Sequence, residues 1–204
     1  ALGATMARHV THRARSNASP ELSRQWWREI FHFIELDILL PSVMLLWLNL
    51  SLPSITNFSV LYARELGIIN FGSFFIVVGV TSLLARPLLG RLSDKIGRDL
   101  SIAAGFGLQI IGLLAITTVS TLAGMISCGM LYMLGNALGS STTLALALER
   151  ADPERRGKQM ATFSIAYPLS YGVGSLLTGS TVEVAGYVGM FLALAALQSL
   201  GLIF

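Results

Sequence analysis

The chain has 204 residues, of which 53% are hydrophobic and only 12% are charged. Soluble domains carry about 25% charged residues, so this composition excludes an ordinary soluble domain, and its hydrophobicity excludes a disordered chain. The formal net charge is +3, but the basic residues are grouped in short stretches between apolar runs, which argues against nucleic acid as a partner.

Residues 1–37 are predicted to form a cytoplasmic linker that contains an amphipathic helix at the membrane surface. The first 18 residues are polar and basic without periodicity, and Ser19 and Pro20 are typical of a helix start. Trp26 and Trp27 suit the headgroup region of a bilayer. Because the chain lacks an initiator Met and begins with linker-like residues, we expect it to be part of a longer protein.

Long uncharged runs follow one another after this linker. A membrane-crossing helix needs about 20 mostly apolar residues, and four of the runs suit one crossing each: 38–63, 66–85, 159–182 and 184–204. The run 100–148 would reach about 70 Å as one helix, more than twice the hydrocarbon thickness, so we expect it to fold as two. The pattern predicts an all-α integral membrane domain over residues 38–204 with six transmembrane helices, at about 41–63, 70–89, 100–119, 123–148, 159–182 and 186–204.

The connections between the predicted spans differ in charge. Twelve of the 14 Lys and Arg residues lie in alternate connections, at 1–37, 90–99 and 149–158, whereas the connections between them carry a single basic residue, Arg64. Basic residues concentrate on the cytoplasmic side of membrane proteins. We therefore expect a multi-pass protein of the plasma (cytoplasmic) membrane with both termini in the cytoplasm.

No residue pattern typical of catalysis occurs. His9 and His12 lie three residues apart in the polar linker without Cys or carboxylate neighbours, and we interpret them as solvated side chains. The single Cys128 cannot form an intrachain disulfide. The sequence predicts no enzymatic activity, no cofactor and no metal site.

The connection after the second predicted span suits a tight, charged turn. It reads Gly90-Arg91-Leu92-Ser93-Asp94-Lys95-Ile96-Gly97-Arg98-Asp99. Gly97 permits the positive φ angle that a tight turn between helices needs. Asp94 precedes Arg98 by four residues, so the two charges are able to pair, and the carboxylate is also able to reach a helix N-terminus. On physical grounds alone, this is a charged loop that orients a helical hairpin.

With its spacing, the same stretch resembles the signature loop of the major facilitator superfamily, G-x-L-x-D-[RK]-x-G-R-[RK]. Six of the seven specified positions match, namely Gly90, Leu92, Asp94, Lys95, Gly97 and Arg98. Asp99 departs from the pattern, since a basic residue is usual there. In that family the loop joins the second and third helices of each six-helix half, as it joins the second and third predicted spans here. The resemblance implies half of a twelve-helix transporter fold and a gating role for the loop.

Two further stretches resemble bacterial members of this family. They are the run 85–90, Ala-Arg-Pro-Leu-Leu-Gly, and the run 155–158, Arg-Arg-Gly-Lys. The basic, Trp-bearing stretch before the first span resembles the connection between the halves of such transporters. We therefore expect the C-terminal six-helix half of an efflux-like member, with a missing N-terminal half as its partner beside the lipid bilayer and a small-molecule substrate. The alternative is an N-terminal half with an extended tail.

The family architecture implies that the first and fourth spans line a central cavity and that the second and fifth flank it. Five polar side chains on these spans are candidates for its lining: Asn49, Asn57, Asn136, Tyr167 and Tyr171. Asn49 and Asn57 are expected on one helical face. Hydrogen bonding between helices is the alternative role of such side chains. Arg86, the one charge near a span interior, is expected about one turn before the loop, paired or snorkelling.

The resemblance implies a secondary transporter that moves a small molecule by alternating access. Analogy with bacterial members that carry similar loops, and the weakly polar cavity lining, favour efflux. Uptake of a sugar or an organic anion is the first alternative. A non-transporting six-span membrane protein, either a scaffold or an enzyme, is the second, and the signature spacing argues against it.

Overall fold

The computed structural model describes residues 36–202, with side chains from Ile38 onward. The predicted linker with its amphipathic helix lies outside the described residues, except for 36 and 37, which begin the first helix. In the described range all regular secondary structure is helical. The helices are α1 (Leu36–Asn49), a π-helical turn (Ser54–Phe58), α2 (Ser59–Glu65), α3 (Gly72–Ile96), α4 (Arg98–Ile116), α5 (Leu122–Arg150) and α6 (Arg156–Leu200).

Five helical stretches in this part of the chain are long and apolar enough to cross a membrane. They are the segment Ile38–Glu65, which takes in α1, the π-turn and α2, and each of α3, α4, α5 and α6. Large apolar side chains point outward from them, among them Ile76, Leu83 and Leu176. Such an exterior suits contact with lipid rather than with water.

The first stretch is interrupted near Pro53, the residue that precedes the π-turn. Proline has no N–H, so the carbonyl of Asn49 loses its usual helical donor. The chain tightens after α1, with the Leu50 N–H donating to the Trp47 carbonyl at 3.2 Å, and then widens into the π-turn Ser54–Phe58. A π-turn changes the rotation of the residues that follow it. Asn49 and Asn57, which are expected on one helical face, differ in exposure, since Asn49 is buried and Asn57 is exposed.

The expected loop over residues 90–99 is helical for most of its length. α3 continues through Ile96, and only Gly97, with φ 98° and ψ 152°, breaks the path before α4 begins at Arg98. The predicted second span ends at about residue 89, where the charged residues begin. Charges mark the edge of the hydrocarbon, however, and a helix is able to continue beyond it into water.

Residues 156–200 form α6, which would be about 67 Å long if it were straight. Gly186, with φ 70° and ψ −178°, has a non-helical conformation inside it. Among the common residues only glycine adopts such a conformation at little cost. The break falls at the start of the sixth predicted span, 186–204.

The two central helices, α4 and α5, touch backbone to backbone along a seam of small residues. A β-carbon on Gly105 would lie 2.9 Å from the Gly139 nitrogen, and one on Gly135 would lie 2.5 Å from the Gly105 carbonyl oxygen. We call Gly105, Gly135 and Gly139 the glycine seam. Small residues of this kind allow membrane helices to approach closely and gain van der Waals contact.

Candidate functional site

The residues 90–98, here called the signature segment, hold three helix ends together. Arg98, at the start of α4, forms an ion pair with Glu149 in the last turn of α5. Its Nη2 also lies 4.0 Å from Oδ1 of Asp94, near the end of α3. The Arg98 side chain is 25% exposed and that of Asp94 is 66% exposed. The contact predicted between Asp94 and Arg98 is thus present at long range, and the closer partner is Glu149.

A buried hydroxyl pair adds a second link between the signature segment and α5. The Thr142 hydroxyl lies 2.7 Å from Oγ of Ser93, and both residues are buried. Gly90 faces the same helix, since a β-carbon there would lie 3.9 Å from that of Ser141. Leu92 and Lys95 point outward. Sequence reasoning missed Ser93, Thr142 and Glu149, because the family pattern leaves position 93 free and says nothing about α5.

A cavity of about 380 Å³ opens between α1, α3, α5 and α6. Its polar lining consists of Asn49, Arg86, Ser140, Ser141 and Tyr167. An apolar wall is formed by Leu45, Leu144 and Phe163. We call this space the Arg86 cavity. Its volume falls at the lower end of the range for small-molecule sites, which are mostly apolar with a few convergent polar groups.

Two of the predicted lining residues, Asn49 and Tyr167, reach this cavity, and a third lies behind it. Asn136 Nδ2 donates to Asn49 Oδ1 at 3.1 Å, and Asn49 Nδ2 donates to the Leu45 carbonyl at 2.9 Å. Asn136 is 3% exposed. Its amide therefore joins α5 to α1, which is the alternative role of such side chains, hydrogen bonding between helices.

The remaining two candidates, Asn57 and Tyr171, lie together but outside the Arg86 cavity. Tyr171 Oη donates to Asn57 Oδ1 at 3.0 Å and lies 3.0 Å from the Thr56 hydroxyl. The five predicted residues thus form two groups rather than one. The reason is the π-turn, which rotates Asn57 away from Asn49, and the separation of Tyr171 from Tyr167 by one helical turn.

A buried amide network lies deeper in the bundle and was missed by sequence reasoning. Gln198 Nε2 donates to Gln109 Oε1 at 3.0 Å and to Ser51 Oγ at 2.6 Å. Ser51 Oγ lies 2.8 Å from Tyr132 Oη. Gln198 Nε2 is also 3.3 Å from the Leu48 carbonyl, beside the interrupted end of α1. The positions of Gln109 and Gln198 inside uncharged runs could have indicated this network, because an amide in hydrocarbon needs a hydrogen-bond partner.

Arg86 occupies a different place from the one expected. α3 continues to Ile96, so Arg86 lies ten residues from the helix end rather than one turn before a loop. Its side chain is exposed and lines the cavity. In the described part of the chain no group of three His, Cys, Asp or Glu side chains is close enough to hold a metal ion.

Comparison with known proteins gives a consistent result. Residues 39–204 match the model of the Major Facilitator Superfamily. The uncharacterized MFS-type transporter YddS of Bacillus subtilis is 34% identical over 119 residues, which are 57% of this chain and 27% of that protein. The staphyloferrin B transporter of Staphylococcus aureus is 24% identical over 188 residues, 90% of this chain and 44% of that protein. The synaptic vesicular amine transporter of Rattus norvegicus is 28% identical over 130 residues, 63% of this chain and 25% of that protein. The chain thus corresponds to only part of each of these relatives.

Proposed function

Because the chain belongs to the Major Facilitator Superfamily, a family of membrane transporters, we propose that it forms the C-terminal six-helix half of a twelve-helix secondary transporter. The complete protein moves a small molecule by alternating access, and the substrate occupies the Arg86 cavity. The observation that carries this proposal is the cavity itself, a partly polar space between four helices that are otherwise apolar on the outside.

The length of α6 supports six crossings rather than five. A helix of 45 residues is too long for one crossing of a hydrocarbon layer of about 30 Å. The residues 156–185 before Gly186 are long enough for one crossing, and we propose the uncharged run 184–204, of which 187–200 are helical, as the other. With the four other stretches this makes six, and an even number leaves both termini on one side. The basic residues of the signature segment and of 150–158 support a cytoplasmic location for that side, and the membrane that we propose is the plasma membrane.

The depth of the cavity supports a substrate site. Ser140 precedes Glu149 by nine residues, and Tyr167 follows Lys158 by nine residues. At 1.5 Å per residue these side chains lie about 13 Å from the charged helix ends, close to the middle of the hydrocarbon layer. Substrate sites of secondary transporters lie near the midplane.

The signature segment supports the gating part of the proposal. Asp94 and Ser93 are on α3, whereas their partners Arg98 and Thr142 are on α4 and α5. These contacts lie at the end of the helices that would close the cavity toward the cytoplasm. Alternating access requires contacts that exist in one state and not in the other.

Efflux is the direction that we propose, on the analogy with bacterial members that carry similar signature segments. Uptake of an organic anion is the second candidate, and the cationic Arg86 in the cavity is the observation that favours it over uptake of a sugar.

The test is to block the cavity in the complete protein. Ser140→Trp would fill much of the space, and Ser127→Trp is the matched control, because Ser127 is an exposed serine on the same helix. Cells that express the wild type are compared with cells that lack the protein by untargeted analysis of small molecules in the cells and in the medium. The wild type and Ser127→Trp should alter the distribution of the same compound, and Ser140→Trp should not. Equal transport by Ser140→Trp would refute the cavity as the substrate site.

A further inference from the structure

Arg86 carries a charge inside a segment that is otherwise apolar. The next charged residue toward the helix end is Arg91, five residues or about 7 Å away. Side chains in a helix lean toward its N-terminus, which favours a guanidinium directed away from the charged end of α3. An arginine inside a membrane is costly unless it meets water, a counter-ion or protein acceptors.

Within the described side chains, no carboxylate neutralises Arg86. The ion pairs in this part of the chain are those of Arg98 with Asp94 and with Glu149. The other residues that line the Arg86 cavity are all uncharged. Arg86 is exposed to this space rather than buried against backbone carbonyls, so a structural role within the bundle does not account for it.

The surroundings of Arg86 fit one end of an amphipathic ligand. Asn49, Ser140 and Tyr167 offer neutral donors and acceptors, and Leu45, Leu144 and Phe163 offer an apolar wall. A guanidinium binds a carboxylate through two parallel hydrogen bonds, which fixes orientation as well as adding affinity. A cavity of this size has room for a small apolar body attached to that group.

We propose that the Arg86 cavity binds an organic carboxylate, with the carboxylate on the Arg86 guanidinium and its apolar body against Phe163 and Leu144. This inference rests on the proposed function and deepens it, since it names the chemical class of the solute that the same cavity carries. The single positive charge in the lining selects a monocarboxylate over a neutral or cationic compound of the same shape.

The experiment compares 2-naphthoate with 2-naphthamide, which has nearly the same shape but no charge. Equilibrium binding of the two radiolabelled compounds is measured on the purified complete protein in detergent. The wild type should bind naphthoate and discriminate against naphthamide. Arg86→Gln should weaken naphthoate binding about tenfold or more. Arg86→Lys keeps the charge but loses the planar pair of donors, so its affinity should lie between the two. Arg64→Gln removes an exposed cation outside both the cavity and the signature segment, and this variant should bind as the wild type does.

Three results would overturn the inference. They are unchanged naphthoate binding in Arg86→Gln, equal affinity of the wild type for the two compounds, and no naphthoate binding by the wild type. The absence of naphthoate binding is expected if a carboxylate elsewhere in the complete protein already neutralises Arg86.

Two further results separate the anion site from transport. If the wild type binds naphthoate selectively but the cells that express it move no compound in the comparison with Ser140→Trp, transport is refuted and the anion site stands. Movement of an uncharged solute that Arg86→Gln does not alter would refute the anion site and leave transport standing.

Discussion

Replacing Asp94 by Asn removes one charge from the signature segment and keeps the shape of the side chain. In the structure its carboxylate lies 4.0 Å from Arg98, and the side chain is 66% exposed. Exposed ion pairs contribute about 0–1 kcal/mol. Because 1.4 kcal/mol is a factor of ten in an equilibrium constant, Asp94→Asn should change the ratio of the two transport states by no more than about fivefold. The variant should therefore fold normally and transport more slowly rather than lose activity altogether.

The assay for this prediction is the accessibility of the cavity. A single cysteine, Ser141→Cys in a Cys128→Ala background, lines the cavity, and its rate of reaction with an impermeant thiol reagent reports how often the cavity is open to that side. Glu149→Gln should change this rate at least as much as Asp94→Asn, since it removes the closer partner of Arg98. Asp99→Asn is the control, because Asp99 is exposed and forms no ion pair among the described residues. An unchanged rate in the first two variants, or an equal change in Asp99→Asn, would refute the gating role.

Two further predictions concern orientation and packing. In a Cys128→Ala background, Gly157→Cys should react with an impermeant thiol reagent only from the cytoplasmic side and Ile69→Cys, at a position that is 82% exposed, only from outside. The opposite labelling would reverse the orientation. Gly174→Ala should lower the free energy of unfolding by about 1–3 kcal/mol, and with it the melting temperature, because its β-carbon would collide with the Leu50 carbonyl oxygen in the interrupted first stretch. Gly172→Ala, whose β-carbon meets nothing within 4 Å, should melt as the wild type does, and equal melting of both variants would contradict the close approach.

The family was predictable from one short stretch, and the match over residues 39–204 confirms it. The signature spacing places Gly97 at the turn, and there the positive φ angle of 98° has a direct physical cause in the missing side chain. The helical state of residues 90–96 was not predictable in the same way. Charged residues indicate where the hydrocarbon layer ends and water begins. The end of the helix depends instead on its backbone hydrogen bonds, which are interrupted here at Gly97.

The candidate site was predictable in its residue types and not in its grouping. Polar residues in apolar runs identified Asn49, Asn136 and Tyr167 as positions that need partners. Which partner each one meets depends on how the helices pack. The pairing of Asn136 with Asn49 spans 87 positions of sequence, and no local spacing encodes it. The π-turn adds a further rotation between Asn49 and Asn57 that an ideal helical repeat does not contain.

The glycine seam limits which parts of this chain are able to move. Backbone atoms of α4 and α5 touch at Gly105, Gly135 and Gly139, and tightly packed surfaces of this kind resist sliding because every displacement creates a void or a collision. The ion pair of Arg98 with Glu149 joins the ends of the same two helices. Sliding of α4 along α5 is therefore opposed by their own backbones, and we expect the Arg86 cavity to change shape through displacements of α1, α3 and α6 relative to α5.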